Sequence, residues 1–366
     1  MYDLAVIGAG PAGCSAAITA ARQGARVVLL EKGDFPRQKV CGEFVSPESL
    51  ALLSRLLSPA HRSLLDSAVR IRNAQIFLDG RTIRTKIEPA AASIARFDLD
   101  VALWQSAKEA GVDARAKSLV AKVEGGGPFE LHCIPDAIRA HAVVHASGRW
   151  SNLNQNGVFA AKEAVKDKWI GVKAHYKEHE PSPTVDLYFF EGGYCGVQPV
   201  DLADTAGSRR VNVSAMVRAQ VATTLPQVFA CNLALQKRSA AWQPLTEAVT
   251  TSPLIFRRPE CTTGNIMHAG DAAGFVDPFV GDGISLALRS GAMAAESLSA
   301  FFTGKIKIEN AVASYRASYE ANLAAIFRHS SQLRRLLRLP LHLRKPLLYV
   351  LSKTPSLTEW MVRSTR

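Results

Sequence analysis

At 366 residues, 48% of them hydrophobic and 21% charged, the chain is long enough for two packed lobes and too apolar for a disordered segment. Its six cysteines (Cys14, Cys41, Cys133, Cys195, Cys231, Cys261) form no C-x-x-C pair and no Cys/His cluster at ligand spacing, which argues against a metal-binding module and fits a reduced, cytoplasmic setting. The formal charge is +12, yet no nucleic-acid recognition motif accompanies it, no run of 18 apolar residues predicts an ordinary membrane span, and the opening Met1-Tyr2-Asp3 carries no export signal.

Residues 2–7, YDLAVI, predict a short buried strand. GAGPAG and the alanine-rich CSAAITAARQ, stopped by Gly24, then predict a glycine turn and a helix. ARVVLLEK supplies a second apolar strand closing on Glu31 and Lys32, so the start of the chain reads as a βαβ unit. Within it, Gly8, Gly10 and Gly13 form G-x-G-x-x-G, with Pro11 and Ala12 between them. Such glycines allow a tight turn and close backbone approach to a pyrophosphate seated on the amide-rich helix end. Glu31 is placed to accept hydrogen bonds from an adenosine ribose. A triplet in register with strand, helix and acid is a strong dinucleotide signal, whereas a lone triplet is weak.

Further along, residues 69–87 alternate around Asp79-Gly80 and predict a β-hairpin. DLDVALWQSAKEAG follows with Leu99, Val101, Leu103, Trp104 and Ala107 at mostly helical spacing. Short strands separated by turns run from about Trp169 to Met216 and suggest an antiparallel sheet, with a helical stretch near 219–242. Beyond Gly281 the chain reads as helices, broken at Pro340 and Pro346. From Arg328 to the end, nine basic residues stand against Glu359 alone, a net +8 in a leucine-rich segment. Such a segment suits an anionic lipid surface or an acidic carrier protein as readily as a solvated basic face.

The second aspartate- and glycine-rich stretch, GDAAGFVDPFVGDGIS, spans Gly270 to Ser285. Asp271 and Asp282 taken alone read as helix N-caps. Taken with the fingerprint, the stretch resembles the second FAD-contacting segment of flavoproteins of the p-hydroxybenzoate hydroxylase fold, and most of all the geranylgeranyl reductase family. His268-Ala269-Gly270-Asp271-Ala272-Ala273-Gly274 is similar to that family's G-D-A-A-G, and Pro278 through Ile284 to its P-x-x-G-[ED]-G-I. Leu288-Arg289-Ser290-Gly291 resembles its A-M-R-S-G helix turn. Pro36-Arg37-Gln38-Lys39-Val40-Cys41-Gly42-Glu43 resembles P-R-x-K-x-C-G-G, and Arg96-x-x-Leu99-Asp100-x-x-Leu103 its R-x-x-[FL]-D-x-x-L. These motifs cover roughly half the chain.

The resemblance implies a Rossmann-like FAD-binding lobe with a parallel sheet, a second lobe on an antiparallel sheet, and a helical C-terminal tail. It divides the chain into 1–70, 91–160 and 255–325 for the cofactor, 71–90 and 161–254 for substrate, and 326–366 for the tail. FAD would meet Gly8, Gly10, Pro11, Ala12, Gly13, Glu31, Lys32, Arg37, Cys41, Gly42, Arg96, Gly270, Asp271, Pro278, Gly281, Asp282, Gly283 and Ile284. Asp271 suits a ribityl hydroxyl, and the free amides near Gly281, Gly283 and Ile284 suit the electron-rich N1/C2 edge of the flavin. Cys41 reads as a structural thiol in the loop beside the flavin. The histidines, His268 included, and every candidate acid leave the catalytic residues unassigned.

Two departures refine the resemblance. Ser147-Gly148 stands where relatives carry Asp-Gly, which leaves the electron donor open among NADPH, NADH and ferredoxin. Tyr194-Cys195-Gly196-Val197-Gln198-Pro199 stands where reductases show Y-x-W-x-F-P and halogenases W-x-W-x-I-P; both tryptophans are missing, which argues against halogenation. The expected activity is reduction of a carbon–carbon double bond in a hydrophobic, isoprenoid or polyketide-like substrate, free or carrier-bound. The alternatives are an O2-using flavin monooxygenase acting on an aromatic or carrier-bound substrate, and a flavin-binding carrier without turnover.

Overall fold

The computed structural model describes residues 1–337 other than 135, 150–152, 154–167, 202–206 and 252. The expected helices broken at Pro340 and Pro346, and most of the basic tail, lie outside the described residues.

The fold is α/β, built on two sheets. Strand Tyr2–Ile7 has its last four residues buried, and the chain turns at Gly8–Gly10 into the helix Pro11–Arg22, where Pro11 fills a position whose N–H needs no intrahelical partner. Nine of that helix's twelve residues are buried, which is why it is made of alanine and small side chains. Strand Val27–Leu30 then pairs in parallel with the first strand. The first sheet is completed in parallel by Ala137–His145, Ile266–His268 and Asp113–Arg115, drawn from distant parts of the chain. An antiparallel ribbon, Val120–Gly125 with Phe129–Cys133, is attached at the start of Ala137–His145.

The second sheet has nine strands among the described residues. Its centre is an antiparallel meander: Trp169–His179 pairs with Ser208–Arg218, which pairs with Gly193–Pro199, which pairs with Thr184–Phe190. The expected hairpin is Val69–Leu78 and Arg81–Ser93, closed by Asp79 and Gly80, both at positive φ as a two-residue primed turn requires. The hairpin joins the meander in parallel, through Val69–Leu78 against Thr184–Phe190, so the expected antiparallel sheet contains one parallel pair. A sequence with clear alternation specifies strands but not their neighbours across a hundred residues.

The helical stretch expected near 219–242 is two short helices, Leu225–Ala230 and Leu233–Ser239. Thr224 and Gln227 form a reciprocal capping box at the first, and Asn232 accepts from the amides of Ala234 and Leu235, ending one helix and starting the next. Gly283–Phe302, Ile308–Asn322 and Ala324–Leu337 follow as expected. The first of these packs on Pro11–Arg22, and the second lies across both it and strand Ile266–His268.

Candidate functional site

At the carboxyl ends of the parallel strands, Gly8, Ala146–Ser147 and Gly270 converge, where open α/β sheets bind ligands. Gly13 makes the convergence tight. A Cβ at this position would lie 1.7 Å from the Gly8 carbonyl oxygen, so the helix seats against the strand only as glycine. From this junction a cavity of about 810 Å³ runs to the second sheet.

Sixteen of the eighteen residues expected to hold FAD line this cavity: Gly8, Gly10, Pro11, Ala12, Glu31, Lys32, Arg37, Cys41, Gly42, Arg96, Gly270, Asp271, Pro278, Gly281, Gly283 and Ile284. Gly13 and Asp282 are not among the lining residues; they act behind it. Asp282 occupies the N-cap position of Gly283–Phe302 but makes no side-chain bond to a helix amide. Its carboxylate instead accepts from the Ser46 hydroxyl at 2.9 Å, and Ser46 and Ser285 share a further hydrogen bond of 2.6 Å. The aspartate thus fixes the loop before the helix, with that helix's first amides left unbonded by it.

Glu31 is nearly buried and is already partnered. It accepts from the amides of Ala9 and Gly33, each at 2.9 Å, and from the Arg37 guanidinium. Burial pushes its carboxyl up, but Arg37 and the two amides outweigh this and hold it at about 2, so it is ionised throughout the physiological range. Arg37 therefore grips Glu31, and it also lies over the Phe35 ring, which stacks on Trp104. Arg96 forms a two-point ion pair with buried Asp100, at 2.7 and 2.8 Å. Its guanidinium would be the nearest contact, at 4.0 Å, of a side chain placed on Gly10. Burial pushes the Cys41 thiol up, so it stands as a protonated structural group. Asp271 sits on the short turn Gly270–Ala272, 3.8 Å from Arg149.

One cluster had little sequence signal. Glu43, quoted in the early motif without a role, has φ 61° and is fully buried. Its carboxylate takes Lys173 Nζ at 2.8 Å, His175 Nε2 at 2.8 Å and the Arg96 amide at 2.9 Å. Lys173 also donates to Gln38 Oε1 at 2.7 Å. The loop 37–43 is thereby bound to strand Trp169–His179 of the second sheet. The only available hint was glutamate in place of the motif's last glycine. His268, which the sequence left without a role, is not among the cavity's lining residues and meets His145, 3.0 Å between Nδ1 atoms.

The residues present fit an extended dinucleotide. A Cβ on Gly283 would meet no atom within 4 Å, and one on Gly10 only the tip of Arg96, so both backbones lie bare to the cavity. Across residues 1–329 the chain matches the family described as FAD binding domain. The chain belongs to that family. This FAD binding domain is 27% identical over 353 residues to the flavin-dependent halogenase armH1 of Armillaria mellea, covering 82% of this chain and 65% of that one. It is 28% identical over 315 residues to digeranylgeranylglycerophospholipid reductase 2 of Methanosphaera stadtmanae, covering 80% and 76%. A geranylgeranyl bacteriochlorophyll reductase-like structure from Thermoplasma acidophilum superposes with a TM-score of 0.76 at 21% identity, covering 100% and 95%, and shows the same fold. The FAD binding domain thus has relatives in the geranylgeranyl reductase group read from the motifs, alongside halogenases. Its cofactor is FAD, and it is an FAD-dependent oxidoreductase. No helix among the described residues is long and apolar enough to cross a membrane.

Proposed function

We propose that the protein reduces a carbon–carbon double bond in a hydrophobic, isoprenoid or polyketide-like substrate. The observation that carries this reading is a segregation of charge along the cavity. None of the charged lining residues (Glu31, Lys32, Arg37, Lys39, Glu43, Arg96, Arg149, Asp271) lies on a strand of the second sheet: six follow first-sheet strands, Glu43 closes the loop 37–43, and Arg96 opens the helix Arg96–Glu109. The second sheet contributes Ile76, Leu78, Ile83, Ile87, Val185, Leu187, Phe189, Val197 and Met216, and its polar lining is limited to the neutral Thr85, Tyr194, Gln198, Ser214 and Thr250–Thr251. An anionic or zwitterionic substrate would find no ionised partner there, whereas an alkyl chain loses only water.

FAD, once bound and reduced, would supply the hydride. The protein's part is to hold an apolar chain beside it and keep water out. Gly196 stands where related motifs carry tryptophan, and it lines the cavity, leaving width for a branched chain. Tyr194 is almost fully buried, and burial raises its hydroxyl well above the ordinary value, so the wall it forms is uncharged. The net +8 of residues 328–366 suits docking on anionic lipid, from which such a substrate would be drawn.

The test is anaerobic single turnover of dithionite-reduced enzyme with polyprenyl lipids, read by mass spectrometry as a gain of two hydrogens. Product that appears only with O2, carrying an added oxygen or halogen, would overturn the reading.

A further inference from the structure

Strands Ala137–His145 and Ile266–His268 are parallel neighbours, and their register sets His145 opposite His268 at the last paired position. The two rings meet edge-on with Nδ1 atoms 3.0 Å apart. The outer ends of the pair are also engaged. His268 Nε2 lies 2.9 Å from Thr263 Oγ1, and His145 Nε2 lies 2.5 Å from Ser147 Oγ. The result is an unbroken file, Thr263, His268, His145, Ser147, running from an exposed threonine to a serine that lines the cavity beside Gly8.

The chemistry of this file allows only two arrangements. Facing Nδ1 atoms hold one proton between them, because two N–H groups cannot point at each other. Burial holds both imidazoles in their neutral form at ordinary pH, His145 at about 3 and His268 at about 4, the charge of His268 adding to the effect at His145. Each member then donates once and accepts once, all in the same direction. In one arrangement Thr263 donates to His268, His268 through Nδ1–H to His145, and His145 through Nε2–H to Ser147, so the serine hydroxyl proton is free to point into the cavity. In the other every bond is reversed, and Ser147 shows the cavity its lone pairs.

We propose that the file sets Ser147 as a hydrogen-bond donor to an acceptor oxygen of bound FAD, in the section of the cofactor that passes between Gly8 and Asp271. The loop here is bounded by the fingerprint turn on one side and Asp271 on the other, and a phosphate or ribityl oxygen accepts a hydrogen bond that a serine hydroxyl can donate and an ionised carboxylate cannot. Ser147 thus supplies a donor where related chains carry an acid. The aligned file strengthens that donor, since each bond polarises the next. His145 and His268 are positioning residues. The inference rests on FAD binding alone and is independent of which substrate is reduced.

Two readouts test it on the FAD-loaded protein. Long-range 15N–1H spectra of histidine-labelled protein should show His145 as the Nε2–H tautomer and His268 as the less common Nδ1–H tautomer. Ser147→Ala should weaken FAD binding about tenfold, the usual worth of one hydrogen bond to a charged or strongly accepting oxygen. Thr263→Val, at the exposed end and harmless to the fold, should weaken binding about twofold and restore part of the His268 Nε2–H signal. The opposite tautomer pair in the loaded protein, or an unchanged dissociation constant for Ser147→Ala, would overturn the proposal.

Discussion

At the scale of single residues, the ionised groups in the interior each have a partner among the described residues. Glu43, Lys173 and His175 are each at most 1% exposed, and the first two form an ion pair whose desolvation is offset by good geometry and by His175, Gln38 and the Arg96 amide. Burial raises the Glu43 carboxyl, but the hydrogen bond from His175 and the charge of Lys173 outweigh it and bring it below its ordinary value. Removing the carboxylate should therefore hurt more than removing the pair. Glu43→Ala is expected to lose about 3–5 kcal/mol in urea unfolding, because an ammonium remains buried without its counter-charge. The double variant Glu43→Ala/Lys173→Met should recover a large part of that loss, and additive losses in the double-mutant cycle would contradict the coupling. Glu31 was legible in the sequence because its position at a strand end has a recurrent purpose. Lys173 was not, since an isolated lysine on an alternating strand looks like any solvated cation until the loop that covers it is known.

At the scale of elements, the cavity depends on two helices far apart in sequence coming closer than ordinary side chains permit. Helix Pro11–Arg22 and helix Gly283–Phe302 cross at Ala12 and Gly291, where an added Cβ on Gly291 would lie 2.1 Å from the Ala12 carbonyl oxygen. Ser15 Oγ donates to the Leu288 carbonyl at 2.7 Å, and the Gly270 amide donates to Ser290 Oγ at 2.9 Å. The crossing thereby fixes the turn that carries Asp271. Gly291→Val is expected to push the helices apart, lose about 1–3 kcal/mol of stability, and yield protein with little yellow colour. Full flavin occupancy of that variant would show that the crossing does not shape the site. The S-G step of the late helix was visible as a motif, but its purpose was not, because close approach is a property of two surfaces and the sequence displays one at a time. The helices around Asn232 show the converse, where a local cap overrides a continuous helical pattern.

At the scale of the whole molecule, stability should respond to acid earlier than carboxylates alone would dictate. His145 and His268 have folded values near 3 and 4, below the ordinary 6.5, so the unfolded chain binds protons that the folded chain refuses. Their contribution is complete above pH 6.5 and is lost as pH falls below it. Glu31, depressed to about 2, contributes above its ordinary 4.5 and is lost only below that. Between pH 7 and 5 the two histidines should remove about 3–4 kcal/mol of unfolding free energy, seen as a falling urea midpoint. His145→Gln/His268→Gln should flatten that slope, and a slope unchanged by the double substitution would refute the assignment.

At this scale the two-sheet plan, the fingerprint and the late glycine loop were readable because each is written in a contiguous segment. The parallel pairing of Val69–Leu78 with Thr184–Phe190 and the seating of Ile266–His268 beside Ala137–His145 were not, since the ladder partners lie more than a hundred residues apart. That last seating has a consequence for biosynthesis. A nascent chain still threaded through the ribosome at Ile266 possesses the early nucleotide turn but lacks the wall and the loop that complete the cradle, so a vitamin-derived prosthetic group can be captured only after the late loop has emerged.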